Sequence, residues 1–298
     1  MTRSDAFGPE AFGTPAPWVS VVIPARNEAG AVGKVVTQVA ATLRSHPGGG
    51  EFEIIVVDDG STDGTGELAQ KAGARVVRIE VSRGYGAALK RGIRSAASPH
   101  VCVVDADQTY SLAEVPAMLR LLDEGADQVV GVRVGHVPPL RRFVKRLITR
   151  FAGALARQPI ADLNSGLRCF KRDLVGPTLG LFPDGFSFTT TLTMAGLLDG
   201  WEMRWFPVAY GARTGASKFK PVRDTLRLLA CLLRAVVYFA PLRVFVPVAV
   251  GLGVPALAFA VWDVVWEHNL TDKTVLLSLS ALLALVLGVL ADVAVKKR

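Results

Sequence analysis

The chain has 298 residues, half of them apolar, with 34 Lys and Arg against 26 Asp and Glu, a formal net charge of +8. That length suits one large domain or two small ones, and the apolar content excludes a chain disordered throughout. Three scattered cysteines (Cys102, Cys169 and Cys231) exclude a disulfide scaffold, and no Cys-x-x-Cys or Cys/His cluster points to zinc.

Residues 1–17 are rich in Gly, Pro and Ala, carry Asp5 and Glu10, and have no apolar stretch that would serve as a signal peptide. They are expected to be a disordered lead-in, leaving the bulk of the chain cytoplasmic. From residue 18 to about 133, short apolar runs alternate with helical patterns. The runs predict strands over 19–23, 53–58, 75–79, 101–105 and 128–132. The 3.6-residue spacing predicts helices over 31–44, 67–71, 85–97 and 112–122. Strands separated by helices of this length imply an α/β fold with a mostly parallel sheet. In such sheets ligands bind beyond the carboxyl ends of the strands.

Over 140–157, Leu140, Phe143, Val144, Leu147, Ile148, Phe151 and Leu155 fall on one helix face. Arg141, Arg142, Lys145, Arg146 and Arg150 occupy the other, and with Arg157 they supply six positive charges. Two readings fit. A basic amphipathic helix lies in the headgroup plane of a membrane, whereas a core helix would turn the same basic face to solvent. A second amphipathic stretch over 221–241 leads into the C-terminal region as a juxtamembrane helix. No nucleic-acid-binding motif accompanies the basic residues, so nucleic acid is not an expected partner.

The mean hydropathy of +0.35 is high for a soluble enzyme, and the excess sits at the C-terminus. Residues 244–262 and 274–291 carry no formal charge, and each is long enough to cross about 30 Å of hydrocarbon. Arg243 precedes the first and Lys296-Lys-Arg298 follows the second, while the connection holds Asp263, Glu267 and Asp272. By the positive-inside rule this is a two-span hairpin with both flanks cytoplasmic.

The predicted strand ends carry the chemistry. The first delivers Pro24-Ala-Arg-Asn-Glu28, the second Asp58-Asp-Gly-Ser61, and the fourth Asp105-Ala-Asp-Gln108. Carboxylates converging on one edge repel unless a cation lies between them. Asp105 and Asp107 suit a hard divalent ion, Mg²⁺ or Mn²⁺, that shares its remaining positions with substrate phosphates. Asp63, after Ser61-Thr62, is better read as a helix-start residue. No Gly-x4-Gly-Lys-Ser/Thr loop is present, and Gly84-Tyr-Gly86 lacks the third glycine of a dinucleotide fingerprint.

Taken together, Val21-Val-Ile-Pro-Ala-Arg-Asn-Glu28, Ile55-Val-Val-Asp-Asp-Gly-Ser-Thr-Asp63, Arg83-Gly-Tyr-Gly-Ala-Ala88 and Asp105-Ala-Asp107 resemble the family 2 inverting glycosyltransferases with a GT-A fold. Asn164-Ser-Gly-Leu-Arg-Cys-Phe170 and Arg213-Thr-Gly-Ala-Ser-Lys218 are similar to the polyprenyl-phosphate group, typified by dolichol-phosphate-mannose synthase. The resemblance spans about residues 19–220. It implies that Pro24, Ala25, Arg26, Glu28, Asp58, Asp59 and Ala106 hold the nucleotide of a GDP-mannose or UDP-glucose type donor. Asp105 and Asp107 then hold the metal, with Gln108 as a third ligand, although family members often place that glutamine one residue later. Arg133, Ser165, Arg168, Arg213, Ser217 and Lys218 are implied at the acceptor phosphate, and Arg133 and Arg213 in catalysis.

Phe186-Ser-Phe-Thr stands where many relatives carry an acid, and Trp201-Glu-Met-Arg-Trp205 lacks the Gln of the processive synthases. The expected reaction is hexosyl transfer, with inversion, to a membrane polyprenyl or dolichyl phosphate. Two alternatives stay open, a glycosyltransferase acting on another membrane lipid and a non-catalytic nucleotide-sugar binding protein. Whether the chain forms a homo-oligomer is also open.

Overall fold

A computed structural model describes residues 16–46, 50–134, 139–211 and 221–296; residues 1–15 of the expected lead-in fall outside it. The first five strands are β1 (Val19–Ala25), β2 (Phe52–Asp59), β3 (Arg75–Ile79), β4 (His100–Val103) and β5 (Gln128–Val134). Between them run α1 (Val32–Arg44), α2 (Thr65–Lys71), α3 (Tyr85–Ser95) and α4 (Val115–Asp123). Each predicted element is present, with ends displaced by no more than three residues. β4 ends at Val103, two residues early, although the Val104 N–H still donates to the Val22 carbonyl at 3.1 Å.

Further along come α5 (Pro139–Ala156), β6 (Arg168–Lys171), a short α6 (Arg172–Val175), α7 (Phe188–Asp199) and β7 (Met203–Ala209). The seven strands form one sheet in the order β3-β2-β1-β4-β6-β5-β7. All neighbours are parallel except β6, which runs antiparallel to both β4 and β5. β7 is an edge strand, so Pro207 removes no ladder bond from a second neighbour. The sheet is mixed but mostly parallel, as expected.

Side chains alternate between the two faces of the sheet. Val19, Val21 and Ile23 join Ile54, Val56, Cys102 and Cys169 beneath α1 and α4. Val22, Ile55, Val57, Val101, Val103 and Phe170 pack under α3 and α7 on the opposite face. Helices on both sides bury a two-faced sheet, which explains why its strands are near-continuous apolar runs.

The basic helix α5 divides its apolar residues between two uses. Ile148, Ala152 and Ala156 are buried against Met194 and Leu197 of α7 and Leu232, Ala235 and Val236 of α8 (Pro221–Phe239). Leu147 and Phe151 stay 61% and 45% exposed, beside the exposed Arg146 and Arg150. The side chains of residues 139–145 fall outside the described ones. One stripe of α5 thus packs in the core, while Leu147 and Phe151 stay open beside the basic residues.

The C-terminal hairpin consists of α9 (Leu242–Trp262) and α10 (Asp272–Lys296). By length and composition each can cross a membrane, at mean hydropathies of 2.3 and 2.5, and little of their surface is buried by the rest of the protein. The expected connection over 263–273 is shorter than predicted, because Asp263–Glu267 continues α9 as a π-helical turn. Asp263 is buried there, accepting from the Thr271 N–H at 2.8 Å and from the Thr271 and Thr274 hydroxyls at 2.7 Å. A carboxylate so supplied with donors can occupy a tight turn between apolar helices.

Candidate active site

The β1 and β2 ends meet because their loops are stitched together. Asn27, left-handed at φ 55, donates from its backbone to Ser61 Oγ at 3.0 Å, and its Oδ1 accepts from the Thr62 N–H at 3.0 Å. The Glu28 N–H donates to Thr65 Oγ1, and that of Ala29 to Asp63 Oδ2. Asp63 Oδ1 also takes the first backbone N–H of α2, from Thr65, as expected of a helix-start residue. Burial works against ionisation there, yet the bonds from Thr65 and Ala29 hold the carboxyl below its ordinary value. Pro24 and Ala25 are buried beneath this loop, Arg26 is exposed and Glu28 half-buried.

Asp58 and Asp59 play separate parts. Asp58 accepts from the Ser61 N–H at 2.9 Å. Asp59 faces the loop before α3 and takes three donors, Ser82 Oγ at 2.7 Å and the Arg83 and Gly84 N–H groups at 2.8 and 2.9 Å. It thereby aims the start of α3 at the site. Gly84 and Gly86 let that start close on another segment: a β-carbon at Gly84 would lie 2.7 Å from the Asp184 carbonyl, and one at Gly86 would strike the Pro183 carbonyl. Tyr85, held between them, donates its hydroxyl to Asp105 Oδ1 at 2.8 Å.

Asp105 and Asp107 follow β4 at the point where the chain has crossed from β3 at one side of the sheet to β4 on the far side of β1. Such a switch point opens a crevice at the carboxyl edge. Burial raises the Asp105 carboxyl to about 6, with the Asp107 charge pushing the same way, while the Tyr85 hydrogen bond and the Arg133 and Arg168 charges oppose it. Asp107 Oδ1 accepts from the Thr109 N–H and, at 2.6 Å, from its hydroxyl. Gln108 is left-handed at φ 59, and its amide donates to the Ala31 carbonyl at 3.3 Å, so it braces the start of α1. Ala106 is buried between the two aspartates.

The donor set fits a hard divalent cation. A half-buried carboxylate whose ionisation is resisted, beside a second carboxylate, is under-compensated by the cations present. Among the described residues no group of three or more His, Cys, Asp or Glu side chains could hold a metal. Two carboxylates alone would leave most positions of such an ion to other oxygens, an arrangement usual for Mg²⁺ at a phosphate site.

Because β6 is antiparallel, the loop that enters it arrives at the same edge. Gly166 packs against Asp105 so closely that a β-carbon there would fall inside the carboxylate. The Gly166 N–H donates to Tyr110 Oη at 2.8 Å, and Ser165 Oγ lies 3.3 Å from the same oxygen. Arg133, at the end of β5, grips Asp162 through two bonds of 2.8 Å, from Nε and Nη2. Burial opposes its charge, but the Asp162 bonds prevail and its affinity for the proton rises above the ordinary arginine value.

Arg168 has no exposed surface. It donates to the Ser165 and Thr189 carbonyls and to Thr193 Oγ1, and burial lowers it to about 10. Ser165 is equally buried. These two residues sit behind the crevice wall and shape the 162–167 loop. Arg213, Ser217 and Lys218 lie outside the described residues.

The structure thus gathers the β1 loop, Asp58, Asp59, Asp105, Asp107 and Arg133 at one edge. Sequence reasoning passed over Tyr85, Tyr110 and Asp162. Tyr85 stood in the Arg83–Ala88 motif, which entered the family resemblance without a role for the tyrosine, and the acid at 162 carried no spacing signal of its own.

Residues 20–178 match the family model described as Glycosyl transferase family 2, and residues 240–294 match one described as GtrB C-terminal hairpin. The low-salt glycan biosynthesis hexosyltransferase Agl6 of Haloferax volcanii is 31% identical over 220 residues, 71% of this chain, which spans only 52% of that longer protein. The dolichyl-phosphate hexose transferase of the same organism is 30% identical over 207 residues, 68% of this chain and 87% of that protein. Among solved structures, glucosyl-3-phosphoglycerate synthase from Mycobacterium tuberculosis, in complex with Mn²⁺, UDP and glucosyl-3-phosphoglycerate, superposes with a TM-score of 0.58 at 23% identity. That likeness covers 74% of this chain and 80% of that one, and it is a likeness of fold.

Proposed function

Since the chain belongs to glycosyl transferase family 2, we propose that it transfers a hexosyl group, with inversion, from a nucleoside diphosphate sugar to a polyprenyl or dolichyl phosphate in a membrane. The observation that carries the lipid acceptor is the connection between the crevice and the apolar hairpin. Arg243, the second residue of α9, donates Nη1 to the Leu155 and Ala156 carbonyls at 3.0 and 2.9 Å, where α5 ends. The same α5 packs on α7, whose first turn accepts the Arg168 bond behind Asp105. The hairpin is thus linked to the crevice through α5 and α7.

The donor nucleotide lies along the β1 loop, with Pro24, Ala25, Arg26, Glu28, Asp58, Asp59 and Ala106 as its contacts. A divalent ion, Mg²⁺ or Mn²⁺, held by Asp105 and Asp107, would neutralise the donor diphosphate. Arg133, with Arg213, Ser217 and Lys218, holds the acceptor phosphate, whose second pKa near 6 leaves it largely dianionic at pH 7. Such a nucleophile needs no general base. One acceptor oxygen forms a bond to the anomeric carbon as the bond to the donor phosphate breaks, and the electron pair leaves on the nucleoside diphosphate. Asp105, positioned by the Tyr85 hydroxyl, holds the ion on the leaving side, while Arg133, oriented by Asp162, faces the attacking side.

The catalytic body is placed on the cytoplasmic side by the basic flanks of the hairpin. The open edge of α5, Leu147 and Phe151 with Arg146 and Arg150, rests against lipid headgroups. Purified full-length protein offered UDP-glucose or GDP-mannose, Mn²⁺ or Mg²⁺, and either a polyprenyl phosphate or a diacylglycerol tests the reading. Formation of a lipid-linked monophosphate sugar, lost in Asp107→Ala, supports it. Transfer to diacylglycerol alone, or full activity in Asp107→Ala, overturns it.

A further inference from the structure

Phe186 is a large apolar side chain that the mechanism leaves unused, and it is 78% exposed. Its ring stacks on that of Tyr85, with centroids 5.5 Å apart and planes inclined by 22°. Tyr85 in turn holds Asp105. The exposed ring therefore stands one residue removed from the carboxylate pair.

The segment that carries it is well fixed. The Ala87 N–H donates to the Asp184 carbonyl at 3.1 Å, and Lys90 pairs with the Asp184 carboxylate at 2.7 Å. On its other side the segment meets the juxtamembrane helix. The Ser187 carbonyl accepts from Thr191, whose hydroxyl lies 3.1 Å from Cys231 Sγ on α8. Leu229 and Leu233, two residues to either side of Cys231, are exposed, and α8 leads on into α9 across Ala240 and Pro241. α8 thus connects the segment that carries Phe186 with the hairpin and exposes a leucine on either side of that contact.

Resting on the lipid-phosphate reading above, we infer that Phe186, backed by Tyr85, is a specificity-determining residue that receives the first isoprene units of the acceptor as its phosphate reaches the crevice. A chain whose phosphate is held in the crevice beside Arg133 and whose tail is in the membrane must leave the bilayer over several carbon atoms. Covering those atoms with an aromatic face removes apolar surface from water. An acid at this position would instead face hydrocarbon at a desolvation cost.

The test uses the full-length protein in detergent or in phosphatidylcholine vesicles, with a long polyprenyl phosphate and a short alkyl phosphate lacking isoprene units as acceptors. In Phe186→Ala the KM for the polyprenyl phosphate rises about tenfold, equivalent to about 1.4 kcal/mol. The KM for the nucleotide sugar moves less than about twofold, and the preference for prenyl over alkyl phosphate shrinks by the same factor of about ten. Phe186→Leu, still apolar, recovers most of the loss. Thermal unfolding of both variants stays near that of the native chain, as befits an exposed side chain.

An unchanged acceptor KM overturns the inference while leaving the lipid-phosphate reading intact. So does a rise confined to the KM of the nucleotide sugar, which would make the ring a platform for the hexose. Should native protein glycosylate diacylglycerol and no prenyl phosphate, the acceptor reading fails and the inference fails with it.

Discussion

Tyr85 and Asp105 are joined by one hydrogen bond of 2.8 Å, phenol to carboxylate, and the tyrosine reaches that position only because glycines flank it on both sides. The bond lowers a carboxyl that burial would otherwise raise further, and it fixes which oxygen faces the crevice.

Tyr85→Phe removes that donor and little volume. Transfer activity is expected to fall about tenfold, the weight of one charge-assisted hydrogen bond. The divalent-ion concentration giving half-maximal rate should rise as well. Metal titration of activity checks this, and an unaltered titration curve would count against a positioning role.

Gly166→Ala places a methyl group inside the Asp105 carboxylate. Relief requires moving either the 162–167 loop or Asp105 itself, at about 1–3 kcal/mol of overpacking. Activity should drop by more than the melting temperature suggests, at least about a hundredfold, since a displacement of about 1 Å at a reacting centre can cost that factor. Parallel kinetic and thermal-shift measurements settle whether the damage is local.

The pair of Arg133 with the fully buried Asp162 lends itself to a double substitution. Asp162→Asn leaves a half-buried guanidinium without its anion and should destabilise by about 3 kcal/mol. Replacing both, Arg133→Met with Asp162→Leu, is expected to restore much of that stability while transfer stays lost. Thermal unfolding in detergent and a transfer assay on the same preparations separate scaffold from chemistry. Recovery of transfer in the double variant would remove Arg133 from the acceptor site.

Asp127 gives a pH signature remote from the crevice. Its carboxylate pairs with Lys171 at 2.8 Å and accepts from the Glu202 N–H at 2.9 Å, tying the start of β5 to β6 and β7. Burial opposes ionisation, but these bonds carry the carboxyl below its ordinary value. A depressed acid stabilises the fold above its unfolded pKa, about 4, and loses that contribution as pH falls through the folded value. Asp127→Asn should cost about 1 kcal/mol at pH 7. The gap between variant and native chain should close as pH falls below the unfolded value and through the lower folded one.

The parallel half of the sheet was legible in the sequence because β1, β2 and β4 are buried on both faces and appear as apolar runs between caps and glycines. The Asp105/Asp107 pair stood out for a related reason, since aspartates two apart at a strand end have few structural uses. β6 was not legible. It has four residues, two of them basic, and is a strand only because β4 and β5 leave a slot between them. β7 exposes most of its residues at the edge and contains Pro207, so its pattern is weak. The roles of Asp162 and Tyr110 depend on that unpredicted antiparallel entry, which no periodicity encodes. On α5 spacing alone did not separate the two readings, since side chains that pack on α7 and α8 have the same periodicity as those that would lie in lipid.

The grip of Arg243 on the end of α5 has a kinetic consequence. On the proposed reading, a catalytic body tied to its membrane anchor in this way stays at the bilayer surface. Its meetings with the lipid substrate are confined to a plane, so turnover tracks the number of acceptor molecules per unit area of membrane rather than their bulk concentration. Diluting the acceptor with inert phospholipid should slow such an enzyme even when the total amount in the tube is unchanged.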